Sequence, residues 1–157
     1  MSETARLADQ IRRAFDGEAW HGDPLLEILQ GVNATMAAAR PIQNAHSIWE
    51  LVLHIAAWDG AVLKRTGGTA IHLSGEQNFP PVKDTSDAAW HRAIEATKQT
   101  HTELVKAVAA FPDLRLQEQV PGKTESYYNF FYMFSGIVQH ELYHAGQIAL
   151  LKKAATR

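Results

Sequence analysis

The sequence contains no cysteine, which excludes disulfide bonds and thiolate metal ligands. Any metal site in this chain must therefore be built from nitrogen and oxygen ligands. No apolar run approaches the roughly 20 residues that a membrane span needs, and the N-terminus lacks the charged and apolar regions of a signal peptide. The sequence thus predicts a cytoplasmic protein that does not act at a membrane.

The chain also has little excess of positive or negative charge. The formal net charge is -2, and the nearest approach to a basic block is Lys152-Lys153, which suits the negative end of a helix dipole. This balance gives no electrostatic basis for binding nucleic acid. With 157 residues, 46% of them hydrophobic, the chain is predicted to form one soluble domain over residues 1–157.

Apolar residues recur at helical spacing in four long segments, and we find no convincing strand pattern. The clearest start signal is the capping box Ser47-Ile48-Trp49-Glu50. The four predicted helices cover residues 3–16, 47–66, 86–111 and 127–153, with short helical pieces at 25–30, after a cap at Asp23, and at 33–39. The simplest arrangement is an all-α, up-down-up-down four-helix bundle.

Two long connections separate these helices, at residues 67–85 and 112–126. A connection as long as the first is often functional in a compact domain, and we expect it to act as a lid. Residues 115–120 of the second alternate polar and apolar side chains, which allows a short extended piece.

The strongest chemical signal is the pair His140 and His144 near the end of the last predicted helix. Histidines four residues apart lie on one helix side, so that their rings can converge on one ion. His140-Glu141-Leu142-Tyr143-His144 also matches the H-E-x-x-H signature of zinc proteases. Such proteases usually take a third ligand from downstream, but no His, Asp, Glu or Cys follows His144. A protease site is therefore not favoured.

His54 lies in the middle of the second long helix and supplies the third ligand if the second and fourth helices pack side by side. Three imidazoles leave positions open for water or substrate, as a catalytic site requires. The alternative is that these histidines are hydrogen-bonded core residues, and spacing alone does not separate the two interpretations.

Other polar residues are weaker candidates. Glu141, Asp59 and Tyr128 are candidate catalytic or supporting residues, Asp59 because it could hold a ligand histidine through its ring N–H. Solvent-exposed positions are the alternative for Glu141 and Asp59. His46 precedes the capping box and is expected in a solvated loop. The remaining histidines are predicted to lie on the surface: His21, His72, His91 and His101.

Two blocks of the sequence resemble the DinB/YfiT-like superfamily. Residues 47–58 (Ser-Ile-Trp-Glu-Leu-Val-Leu-His-Ile-Ala-Ala-Trp) resemble its second helix, and residues 136–148 (Gly-Ile-Val-Gln-His-Glu-Leu-Tyr-His-Ala-Gly-Gln-Ile) resemble its fourth. The likeness extends through residues 19–22 and 79–81, so it covers nearly the whole chain. The resemblance implies a four-helix bundle, often dimeric, whose single divalent metal is bound by a histidine triad at positions that match His54, His140 and His144.

Nickel and zinc are the metals that the resemblance implies first, with iron and manganese as alternatives. Characterised relatives include thiol S-transferases that use bacillithiol or mycothiol, and a maleylpyruvate isomerase. The leading hypothesis is therefore a homodimeric metal-dependent transferase that joins a low-molecular-weight thiol to a small electrophilic substrate. The alternatives are a hydrolase that uses metal-bound water, a non-catalytic metal-binding dimer associated with stress, and a bundle that binds no metal.

Overall fold

Six α-helices, joined by irregular connections and two 3₁₀ turns, make up residues 1–156, the part of the chain that the computed structural model describes. The helices are α1 (Glu3–Asp16), α2 (Leu25–Ile28), α3 (Ala34–Ala38), α4 (Ile48–Thr66), α5 (Asp87–Ala109) and α6 (Phe130–Ala155). These residues form no strand, only two isolated bridges. The all-α prediction is confirmed.

Side-chain caps set most of the helix N-termini. Ser47 and Glu50 form the predicted reciprocal capping box at the start of α4. The fourth long helix begins at Phe130, three residues later than predicted, because the side chain of Asn129 accepts a hydrogen bond from the Tyr132 amide and caps it there. The predicted cap at Asp23 is wrong, since Pro24 occupies that position and provides no side-chain hydrogen bond.

The predicted extended piece at residues 115–120 forms only in part. A 3₁₀ turn covers Asp113–Arg115, and a single antiparallel bridge joins Gln119 to Asn129. The oxygens of Asp113 accept hydrogen bonds from the Glu3 and Thr4 amides at the start of α1. The connection after α5 therefore anchors the N-terminus of α1.

The predicted up-down-up-down order is wrong at the second and third long helices, because α4 and α5 run parallel. Trp49 contacts Trp90 near the first turns of both helices, with ring centroids 5.0 Å apart. Further along both helices, Asp59 Oδ2 lies 2.9 Å from His101 Nδ1. Because the contacts move towards the C-terminus on both helices, the two helices run in the same direction. The α4–α5 connection, residues 67–86, must therefore return along the bundle.

The connection is long enough to return along the whole length of α4. A 19-residue helix such as α4 is about 28 Å long, and the residues of the 67–86 connection can span about 60 Å when extended. α6 runs opposite to α4, since Arg65 at the end of α4 donates a 3.4 Å hydrogen bond to the Tyr128 hydroxyl just before α6 begins. The four long helices thus follow an up-down-down-up order.

The interior is divided into two apolar clusters. The first joins Phe15, α2, α3 and the N-terminal parts of α4 and α5 to the C-terminal half of α6. The second joins the start of α1, the ends of α4 and α5 and the start of α6. Between them, α4, α5 and α6 each bury a polar side chain, and these are Asp59, His101 and Glu141. No helix within residues 1–156 is long and apolar enough to cross a membrane.

Candidate metal centre

Three histidines from α4 and α6 converge at the contact between these helices. His140 and His144 are one turn apart on α6, and His54 faces them from the middle of α4. The centroid of the His54 ring lies 4.9 Å from that of His140 and 4.7 Å from that of His144, and the last two are 4.5 Å apart. The structure therefore brings together the three residues that the sequence singled out.

The spacing of the ring nitrogens suits a shared metal ion. His54 Nε2 and His140 Nε2 are 3.0 Å apart, and one ligand atom from each of the three residues lies within 4.8 Å of the others. Two nitrogens bound to one ion at about 2.0–2.1 Å are separated by roughly 2.9 Å at a right angle and roughly 3.4 Å at the tetrahedral angle. His54 and His140 thus already lie at the distance that a common ion requires.

Oxygen acceptors orient two of the three rings. His54 Nδ1 lies 2.6 Å from the backbone carbonyl of Asn78, and His144 Nδ1 lies 2.7 Å from Gln147 Oε1. Because each oxygen accepts a hydrogen bond from Nδ1–H, the proton stays on Nδ1 and the lone pair of each ring is on Nε2. This is the arrangement that fixes the tautomer of metal-binding histidines.

Burial keeps the triad uncharged. It lowers the pKa of His54 and of His144, and burial together with the neighbouring His144 and His54 lowers the pKa of His140 to about 3. Neutral imidazole is the form that binds metal. The three rings are therefore in the protonation state that binds metal at neutral pH.

The connection between α4 and α5 covers the triad. The Phe79 ring stacks on the His54 ring at a centroid distance of 4.0 Å. Phe79 also stacks on the His46 ring, again at 4.0 Å. Trp58 donates its indole N–H to Asn78 Oδ1 at 2.9 Å. Residues 78 and 79 of this connection thus fix the orientation of His54 and shield one face of its ring.

A small cavity of about 200 Å³ lies beside His140. Its walls are apolar and aromatic, and they are formed by Trp58, Val62, Tyr128, Tyr132, Met133, Gly136, Ile137 and His140. Four larger cavities, of about 290 to 800 Å³, have none of the three histidines in their walls. Proximity to the histidines makes the smaller cavity the candidate substrate site.

The three candidate catalytic or supporting residues occupy different places. Tyr128 lines the cavity beside His140. Asp59 forms its hydrogen bond with His101, neither with a triad histidine nor with solvent. Glu141 is also fully buried, and His101 Nδ1 is 3.7 Å from its Oε1. The expectation of a surface position for His101 is wrong, whereas His21, His72 and His91 are exposed as predicted.

Sequence reasoning missed the groups that orient the triad. Gln147 lies three residues after His144 on the same helix, so its spacing was a usable signal. The Asn78 carbonyl had no such signal, because a backbone acceptor from a distant connection leaves no mark in the sequence.

Comparison with known families agrees with this geometry. A model of the DinB superfamily matches residues 19–148, which include all three histidines. Neither the curated proteins nor the solved structures gave a significant match. Three neutral imidazoles with nitrogens at ligand spacing could hold a metal ion, and metal binding is characteristic of DinB-like proteins. The chain belongs to the DinB superfamily.

Proposed function

We propose that this protein is a metal-dependent enzyme that transfers a small thiol to an electrophilic substrate. One divalent metal, nickel or zinc in the first place, would be held by His54, His140 and His144. The observation that carries the proposal is the placement of two oxygen-oriented imidazoles and a third ring around one point, beside an aromatic cavity.

The donor set determines the chemistry. Three protein nitrogens leave coordination positions for other ligands, as catalytic metal sites do. A divalent ion held by His54, His140 and His144 would lower the pKa of a coordinated thiol, so that a thiolate nucleophile would exist at neutral pH. The absence of cysteine from the chain fits a nucleophile that is supplied by a cosubstrate.

The side chains around the triad select and orient the electrophile. The apolar walls formed by Trp58 and Met133 favour a small hydrophobic or aromatic group and exclude water. The Tyr128 hydroxyl accepts a long hydrogen bond from Arg65, so its own proton can be donated to substrate. Tyr128 is therefore our candidate for the residue that protonates or orients the leaving group.

The remaining parts of the proposal concern the setting of the enzyme. The family resemblance supports a homodimer, and the sequence supports a cytoplasmic location with a small molecule as substrate. Analytical ultracentrifugation of the untagged protein tests the oligomeric state, and a monomer at micromolar concentration would contradict the dimer.

The enzyme assay uses the metal-loaded protein with bacillithiol, mycothiol and glutathione as thiols and monochlorobimane as the electrophile. We expect thiol- and metal-dependent adduct formation, which is lost in His144→Gln and retained in His91→Gln, a variant of an exposed histidine. Adduct formation that His144→Gln retains would contradict the proposal. So would metal-dependent ester hydrolysis without thiol transfer, which would indicate a hydrolase.

A further inference from the structure

A second group of potential ligands is buried at the centre of the bundle. Asp59 on α4, His101 on α5 and Glu141 on α6 are 0%, 3% and 0% exposed. They lie on three different helices between the two apolar clusters, and the ring of Phe15 on α1 stacks on the His101 ring at 3.9 Å. The proposed function of the triad uses none of these three side chains.

The group is short of hydrogen-bond partners. Among residues 1–156, five buried side-chain N and O atoms have no partner, and four of them belong to this group. They are Asp59 Oδ1, His101 Nε2 and both carboxylate oxygens of Glu141. A buried polar atom without a partner costs about 1–3 kcal/mol, and more when it is charged. A fully buried Glu141 whose two oxygens have no hydrogen-bond partner indicates that a ligand is needed to satisfy it.

The spacing within the group matches that of ligands around one ion. His101 Nδ1 lies 2.9 Å from Asp59 Oδ2 and 3.7 Å from Glu141 Oε1. One ligand atom from each residue lies within 4.8 Å of the others. Zinc ligands at about 2.0–2.2 Å in tetrahedral geometry are separated by roughly 3.3–3.6 Å. The two measured distances lie on either side of that range, so the three side chains are close to the spacing of ligands around one ion.

Charge also favours a cation at this position. When both are ionised, the Asp59 and Glu141 carboxylates carry a formal charge of -2, which a single divalent ion neutralises. A carboxylate that is buried without compensation is strongly unfavourable, so buried charges are normally paired or coordinate metals. No Lys or Arg side chain forms an ion pair with Asp59 or Glu141 in the described part of the chain.

We propose that Asp59, His101 and Glu141 form a second site for a divalent metal, separate from the histidine triad. The site is structural, because it joins α4, α5 and α6 in the core and has no access to solvent. Helical bundles commonly build such sites from carboxylates and histidines on facing helices.

The donors and the closed surroundings favour an ion of the zinc type. Zinc accepts four ligands from imidazole and carboxylate groups, and the second oxygen of either carboxylate can complete the set. Calcium takes six to eight oxygen ligands and magnesium retains several waters, which this buried position cannot accommodate. Zinc is therefore the probe of choice.

The test measures zinc in a variant whose triad is disabled. Because the site is closed, the His54→Ala/His140→Ala variant is refolded from denaturant with Zn²⁺, freed of loose metal by gel filtration and analysed for elements. We expect about one zinc per chain, and none after Glu141→Gln is added. The matched control adds Glu103→Gln instead, which alters an exposed carboxylate on α5 and should retain the zinc.

Folding and location are checked separately. Circular dichroism establishes that each variant is folded, and Asp59→Asn serves as the second variant if Glu141→Gln does not fold. Zinc should also raise the melting temperature of the triad variant, but not that of the variant with Glu141→Gln. A folded triad variant that takes up no zinc would overturn the proposal, as would zinc uptake that survives both Glu141→Gln and Asp59→Asn.

Discussion

At the scale of single residues, Gln147 has the clearest supporting role, because its Oε1 accepts a 2.7 Å hydrogen bond from His144 Nδ1–H. We predict that Gln147→Ala weakens metal binding about 10–100-fold, the usual effect of removing such a partner. Competition with a chelator of known affinity measures the change. Gln139→Ala, an exposed position on the same helix, should bind metal as the wild type does. Equal affinities for the two variants would show that Gln147 does not orient the ligand.

The triad also makes the stability of the metal-free protein depend on pH. The pKa of His140 is lowered to about 3 in the folded state, whereas an unfolded histidine has a pKa of about 6.5. Between these values the unfolded chain binds a proton that the folded chain does not. The free energy of unfolding therefore decreases as the pH falls through this window. The pKa values of His54 and His144 are shifted in the same direction.

We predict that the melting temperature of metal-free protein falls between about pH 7 and about pH 5, and that it falls less for His140→Gln. Thermal unfolding in the presence of a chelator measures both slopes. His91→Gln, which alters an exposed histidine, should keep the wild-type slope. An unchanged slope for His140→Gln would contradict the assignment of a neutral, buried His140.

The triad was predictable from the sequence, and the second buried group was not. His54, His140 and His144 stand in helical patterns whose apolar sides must face one another. His101 was misplaced because its immediate neighbours, Thr100 and Thr102, are polar. Its true position continues the spacing of the buried residues on α5, which are Trp90, Thr97, His101, Leu104 and Val108. The pairing with Asp59 depended on the direction of α5, which periodicity does not specify.

At the scale of elements, the capping box of α4 contributes directly to stability. Ser47 is buried. Its hydroxyl accepts a hydrogen bond from the Glu50 amide, and the Glu50 carboxylate accepts one from the Ser47 amide. We predict that Ser47→Ala lowers the free energy of unfolding by about 1 kcal/mol. Urea unfolding measures it, with Ser126→Ala in an exposed turn as the control. A loss no greater than that of the control would mean that the cap is dispensable.

Element types were predicted better than their boundaries and directions. The helical period of the apolar residues and the capping residues located the ends of α1, α4 and α5 to within two residues. Each of these helices is preceded by a serine whose side chain accepts a hydrogen bond from a backbone amide. The order of the bundle was missed, since the composition of residues 67–86 does not reveal whether the connection turns back at once or returns along the bundle.

At the scale of the whole molecule, the parallel arrangement of α4 and α5 connects the topology to the site. The long connection that this arrangement requires brings Asn78 and Phe79 against His54. A short α4–α5 turn would leave that histidine without its acceptor and its ring exposed. The same arrangement places Asp59 beside His101, which creates the polar layer between the two apolar clusters. Both candidate sites therefore depend on one topological feature.

The central claim is that His54, His140 and His144 bind a divalent metal. The most direct test is elemental analysis of protein purified without a histidine tag, beside the His54→Ala/His140→Ala variant and a His72→Ala/His91→Ala control. We predict that the first variant contains about one divalent ion per chain less than the wild type, and that the control retains the wild-type content. Equal metal content in all three proteins, or a wild type that contains no metal and takes up neither zinc nor nickel, would contradict the claim.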